Sequence, residues 1–312
     1  MFSTLSASAL AQTYPSRPIH MVVPYPVGGA TDILGRLLGK KLGELLGQSV
    51  VIENRAGAGT VIGANYVAKS APDGYTLLIT AGTTTLTINP AIQSKLPYDP
   101  VKSFEPIGFA TRLPLVLIAN PSFPAKTLKE VVQAGKATPG KLSYGSFGEG
   151  STAHFAGELL WYAVGAKIVH VPYKGSAPAM NDLIGGQIPL AIDTVTAAAP
   201  QIKAGTVTAI AVTTKRRSAL LPNVPTVEEQ GYPGVNVDAW SVLVAPRGLP
   251  PTVKARLEKA LSDTVNDPAI QKQLIANGFE PAYGNAASAS ALIERELPQM
   301  RAIAQRAGIR AD

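Results

Sequence analysis

From residue 19 onward, short apolar runs alternate with segments of helical periodicity, and this alternation restricts the chain to sheets covered by helices. "IHMVV" (19–23) has the length and composition of a buried strand. After it, Ile33, Leu34, Leu37, Leu38, Leu42, Leu45 and Leu46 recur at the spacing of one helix face, beginning at Thr31. "VVIEN" (50–54) and "YTLLITA" (75–81) read as further strands, and "GTVIGANYVAKSAP" (59–72) as a small-residue helix ended by Pro72. Strand, helix, strand in this order predicts a parallel α/β sheet.

The long apolar stretch "GFATRLPLVLIANP" (108–121) closes this series and a second begins. A helix is expected at 128–137, a strand in "KLSYGSF", a helix from Ser151, a strand in "KIVHVPY", a helix through "APAMNDLIGG", and strands in "IPLAIDT" and "VTAIAVT". "DAWSVLVAP" (238–246) is strand-like, and the chain from Pro251 is mostly helical. The stretches near 110–118 and 239–245 are the natural places for the chain to cross between two domains, and two crossings leave a hinge with a cleft beside it. The expected division is a leader at 1–11, a first domain from 12–113 plus 239–312, and a second from 114–238.

Composition narrows the functions. Of 312 residues, 46% are hydrophobic and 16% charged, as in a folded globular chain. A net charge of +7 favours anionic partners. The basic residues are scattered apart from Lys215-Arg216-Arg217, which reads as a solvated patch, and with 6% aromatics no basic and aromatic stripe suits a nucleic acid. The absence of cysteine excludes disulfides, thiolate catalysis and cysteine metal sites. Ala9-Leu10-Ala11 followed by Gln12 fits the small-residue cleavage site of an export signal, so 1–11 reads as the tail of such a signal and the mature chain as opening near Gln12. No apolar run reaches the roughly 18 residues of a membrane span, so the mature chain is expected to be soluble.

The stretch "PYPVGGATDILGR" (24–36) places two glycines before a helix. The spacing of Gly28, Gly29 and Gly35 fails the dinucleotide fingerprint, and no lysine follows for a phosphate loop. Two readings remain: a turn aiming free N–H groups at a carboxylate or phosphate, or a helix merely capped by Thr31 and Asp32. Similar clusters recur in "AGTTTLTINP" (81–90), "SYGSFGEGSTAHFAGEL" (143–159), "YKGSAPAM" (173–180) and "DTVTAAAP" (193–200), and together they suggest a polar cleft lined by neutral donors at the carboxyl edges of two sheets. No G-x-S-x-G elbow surrounds Ser146 or Ser151, and no catalytic constellation is visible. His154 and Glu158 stand four residues apart, but a metal needs a further convergent ligand, so they read as a helix side-chain pair. Asp193 is equally a helix cap or a ligand contact. Tyr25 and Tyr173 could flank a ring or be structural. No cofactor and no metal is expected.

These residues, with "VVIENRAGAGTVIGANYVAKSAPDGYTLL", "YGSFGEGSTAHFAGELL", "VPYKGSAPAMNDLIGGQI" and "VPTVEEQGYPG", resemble the Bug family, the substrate-binding proteins of tripartite tricarboxylate transporters, from about Tyr14 to the end. The resemblance implies an α/β, two-domain periplasmic binding protein of the type II, Venus-flytrap kind with a double-crossover hinge. It also implies capture of a carboxylate between the domains, delivery to membrane permease subunits, and no enzymatic activity. By motif, Tyr25, Val27, Gly28, Gly29, Ala30, Thr31 and Asp32 would cradle one carboxylate, with Thr84 and Thr85 on the same wall. Ser146, Gly150, Ser151, Thr152 and His154 would present a second helix start, and Lys174, Gly175 and Asp193 would close the far side. A monomer is the default for a closing binding protein. A ligand-dependent sensor and an enzyme acting on a carboxylic acid are the alternatives. The ligand stays open among citrate-like acids, dicarboxylates, aromatic acids such as terephthalate, amino acids and nicotinate-like acids.

Overall fold

The computed structural model describes residues 14–311, so the expected leader at 1–11 lies outside the described residues. The chain opens with β1 (Ile19–Val23), α1 (Ala30–Leu46), β2 (Val50–Asn54), α2 (Val61–Ala68) and β3 (Thr76–Ala81). β1 lies between β2 and β3, parallel to both. Leu34, Leu38, Leu42 and Leu46 of α1 bury against Ile19, Met21, Val23, Leu77 and Ile79. Each such leucine contributes roughly 1.5–3 kcal/mol, which is why the leucine period predicts the helix correctly. The expected helix at 59–72 is shorter, because Ala58–Thr60 form a 3₁₀ turn before α2.

A π-helical turn (Thr83–Ile88) leads into α3 (Asn89–Ile92) and the 16-residue β4 (Phe104–Ala119). Then follow α4 (Leu128–Ala137), β5 (Ser143–Ser146), α5 (Thr152–Val164), β6 (Val169–Pro172), α6 (Ser176–Ile184), β7 (Leu190–Thr194), α7 (Val195–Lys203) and β8 (Thr208–Val212). The chain closes with β9 (Asp238–Pro246), α8 (Pro251–Val265), α9 (Pro268–Ala276), β10 (Glu280–Asn285) and α10 (Ala286–Ala307). β10 interrupts a stretch expected to be mostly helical, and α7 forms where only a polar cluster is apparent from sequence.

Among the described residues ten strands form a curled sheet with the central order β2-β1-β3-β9-β4-β7-β5-β6. It is mixed rather than purely parallel. β9 runs antiparallel to β3 and β4, and β10 antiparallel to β4. The first part of β4 pairs with β9 as far as Pro114 opposite Asp238, whereas Leu115–Ala119 pair with β7 on one side and Val116–Ala119 with β8 on the other. One strand therefore serves both halves of the sheet. The parallel strands β5, β6 and β7 form the second half.

The connection between the halves is tightly packed. Trp240 is fully buried, and a Cβ on Gly82 would overlap its ring, so only glycine admits the indole there. The indole N–H donates to Glu296 Oε2 at 2.8 Å, and Arg112 donates to Asp238 Oδ2 at 2.6 Å. α10 reaches both halves: Ala289, Leu292 and Ile293 join the cluster around Trp240, while Met300, Ile303 and Ala304 join that around Leu117, Tyr144 and Phe155. No helix of the described residues is long and apolar enough to cross a membrane.

Candidate functional site

The turn between β1 and α1 is exposed from Pro26 to Ala30. Gly28 adopts φ +84°, a left-handed conformation, and Gly29 caps α1 without any side-chain hydrogen bond. The first N–H groups of α1 therefore lack a capping acceptor, with the positive end of the helix dipole behind them. The turn is held from below by Asp32, which is buried rather than presented to solvent. Its carboxylate accepts from Gly28 N–H (2.9 Å), Arg36 Nε (3.0 Å) and Asn54 Nδ2 (2.9 Å), and Asn54 also donates to the Tyr25 carbonyl. Burial alone would raise the Asp32 carboxyl, but these donors outweigh it and bring it down to about 2. Asp32 is thus a brace for the glycine turn.

Beside this turn lies a chain of threonines. Thr85 Oγ1 is 2.6 Å from Thr80 Oγ1 and 2.9 Å from Thr60 Oγ1, all three buried. The Thr85 hydroxyl is therefore internal, whereas Thr84 is half-buried. Tyr25 brings its hydroxyl against Thr80, Thr84 and Thr85, yet no group among the described residues meets it with hydrogen-bond geometry. Burial raises its phenol, and the neighbouring threonines offset part of that rise. Ala58 and Thr60 take positive φ (45° and 85°) although neither is glycine. Such strain clusters at ligand sites. Asn89 holds the loop by donating to the Gly59 carbonyl at 2.6 Å. Sequence reading missed this loop, for which the flanking glycines of "GAGT" were the available signal.

The second wall starts at the carboxyl end of β5. Ser151 caps α5, its hydroxyl accepting from His154 N–H at 3.2 Å, and leaves the first-turn N–H groups of Thr152 and Ala153 without a cap. Ser146 is fully buried and donates to the Gly148 carbonyl. His154 is buried too, and its Nδ1 accepts from Gly150 N–H at 3.2 Å. Ser146, Gly150 and His154 therefore shape the loop from within. α6 begins on Gly175 with no side-chain cap, next to the exposed Lys174. Asp193 Oδ1 accepts from Ser176 Oγ and Thr194 N–H, both at 2.7 Å, and burial raises its carboxyl. It ties the start of α6 to the end of β7. Tyr173 donates to Asp182 at 2.7 Å, which gives it a structural role. Val27 is 71% exposed at the tip of the first turn.

The starts of α1, α5, α6 and α7 thus all follow the carboxyl ends of parallel strands, the edge at which open α/β sheets bind ligands. The Gly150 position faces Ile92 of α3, which packs against the core of the second half. The expected residues fall into an accessible set (Val27, Gly28, Gly29, Ala30, Thr31, Thr84, Ser151, Lys174, Gly175) and a buried set (Asp32, Thr85, Ser146, Thr152, His154, Asp193), with Tyr25 and Gly150 between them.

Two parallel-stranded half-sheets joined by β4 and β9, with helix starts along their carboxyl edges, define a periplasmic binding protein of the two-domain, Venus-flytrap class. Residues 34–309 match the tripartite tricarboxylate transporter family receptor, TctC, and the chain belongs to that family, whose Bug members are periplasmic solute-binding proteins. It is similar to the periplasmic binding protein BugD, at 37% identity and TM-score 0.75 over 96% of this chain and 100% of that one. It is likewise similar to Rpa4515 of R. palustris, solved with adipate, at 35% identity and TM-score 0.79 over 95% and 99% of the two chains. MatC of Rhodopseudomonas palustris, with bound malate, matches at 32% identity and TM-score 0.74 over 93% and 99%.

Proposed function

We propose that this protein captures a small carboxylate between its two halves and delivers it to the membrane permease subunits of a tripartite transporter. The observation that carries the reading is the set of four helix starts, two of them on uncapped glycines, along the carboxyl edges of both half-sheets. Uncapped N–H groups with a helix dipole behind them favour a carboxylate without needing an arginine clamp. Charge-assisted hydrogen bonds contribute roughly 1.5–3 kcal/mol each, and a micromolar dissociation constant corresponds to about 8 kcal/mol, so a few donors at each end of a diacid suffice. The adipate and malate carried by two relatives make aliphatic dicarboxylates the first class to test.

In this reading the accessible set makes the contacts, from a first domain of 12–113 plus 239–312 and a second of 114–238. The strained Ala58–Thr60 loop joins it, the protein acts as a monomer without catalysis, and residues 1–11 serve export. A thermal-shift panel of mono-, di- and tricarboxylates, with amino acids as controls, tests the reading. Ligand at 100 times its dissociation constant adds about 2.7 kcal/mol, a rise of several degrees. Selective stabilisation by one carboxylate class supports it, and stabilisation by none overturns it.

A further inference from the structure

The run Lys215-Arg216-Arg217 reads from sequence as a solvated patch, yet the chain sets it beside a hollow. These residues follow β8 in the second half and line a cavity of about 500 Å³. Glu280 of β10 and Arg295 of α10 line it from the first half. Arg112, Pro114 and Asp238 complete it where β4 and β9 pass between the halves. Both halves therefore build one cavity, and none of the candidate carboxylate-site residues lines it.

The charges around this cavity do not balance. Arg112 is engaged by the buried Asp238, to which it donates at 2.6 Å. Arg217 Nε donates to Glu229 Oε2 at 2.9 Å. Glu280 accepts from the Ser218 hydroxyl and is the cross-strand neighbour of Arg112. Lys215 and the Arg216 side chain are exposed and have no hydrogen-bond or ion-pair partner among the described residues. Arg295 comes only within 4.0 Å of Glu296. The buried Thr214 donates to the Arg216 carbonyl at 2.7 Å and so holds the backbone that carries the two unpaired cations. Like charges gathered in a concave space raise the local potential, and an anion relieves their repulsion.

We propose that this cavity binds a small phosphoryl anion through Lys215, Arg216 and Arg295, at a site separate from the carboxylate cleft. The cations stand on segments of different halves. A tetrahedral phosphoryl group, whose oxygens point several ways, suits them better than a planar carboxylate. Each guanidinium offers a fork of donors to two phosphoryl oxygens, and the lysine adds a compact charge. An anion held from both halves stabilises the relative position in which its donors converge. The site thereby bears on how the halves move without touching the carboxylate.

The test is calorimetric titration of the full chain with inorganic pyrophosphate alone at fixed ionic strength. It is repeated on Lys215→Gln combined with Arg216→Gln, on Lys129→Gln and on Gly28→Val, with circular dichroism to verify folding. Lys215 and Arg216 are exposed, so their replacement leaves the core untouched. Lys129 is an exposed cation of α4 away from the cavity and controls for net charge. Gly28 lies in the carboxylate turn and controls for uptake in the cleft. Saturable one-to-one uptake, weakened at least about tenfold in the double variant and unchanged in the two controls, is the expected result. No such uptake by the parent chain, uptake unchanged in the folded double variant, an equal loss in Lys129→Gln, or a loss in the folded Gly28→Val overturns the site.

Discussion

At the scale of single residues, the candidate site divides between groups that can touch a ligand and groups that hold them. Gly28 belongs to the first kind, and its φ of +84° leaves a β-branched residue strained there although a Cβ would meet nothing within 4 Å. Gly28→Val is expected to abolish carboxylate-dependent thermal stabilisation while the far-UV circular dichroism stays native; retained stabilisation would remove the turn from the site. Gly28→Ala should cost about 1–2 kcal/mol of stability, read from urea unfolding. Asp32 belongs to the second kind. Its carboxyl is lowered from 3.8 to about 2, so its contribution to stability is present above pH 3.8 and is lost as pH falls through 2. Asp32→Asn should lose stability at neutral pH and show a shallower acid transition below pH 4, and identical acid transitions in the two proteins would contradict the brace. The sequence places Asp32 at the site without revealing which way it faces. A carboxylate in the first turn of a helix is equally a cap, a ligand contact or, as here, an anchor beneath the turn, and the donors that decide, Arg36 and Asn54, come partly from another strand.

Among the elements, those with a strong period were legible. α4 and β9 occupy 128–137 and 238–246 as expected, and Leu34, Leu38, Leu42 and Leu46 define the buried face of α1, while Ile33 and Leu45 of the expected face are exposed. The elements missed carry weak signals. α7 is built from small residues, with only Val195 and Ala198 buried, and β10 contains proline and glycine and is mostly half-buried. The π-helical turn at Thr83–Ile88 has no sequence period of its own. Its position follows from Trp240, more than 150 residues away, whose ring lies against Gly82. Gly82→Ala is expected to destabilise the protein by about 1–3 kcal/mol or more, and a urea midpoint equal to that of the parent would show that the indole can move aside.

At the scale of the molecule, the connection between the halves contains the buried acids Asp238 and Glu296 with Arg112 and Arg295 beside them. Burial is the main cause that lifts Glu296 from 4.5 to about 7, and the Trp240 N–H offsets part of it. Burial raises Asp238 in the same direction. A raised carboxyl favours the fold below pH 4.5 and loses that advantage as pH rises through 7. Melting temperatures of the parent and Glu296→Gln, compared from pH 4.5 to 8, should therefore diverge with rising pH in favour of the variant, and a constant difference would refute the assignment.

The pairing of β3 with β9 also bears on the order in which the molecule can assemble. β1, β2 and β3 are complete by residue 81, but the free edge of β3 is closed only by residues 241–244. A chain made from its N-terminus holds that edge unpaired while β5, β6 and β7 are still being added, and such edges invite pairing with other chains. The half of the sheet that begins first in sequence is therefore the one that finishes last.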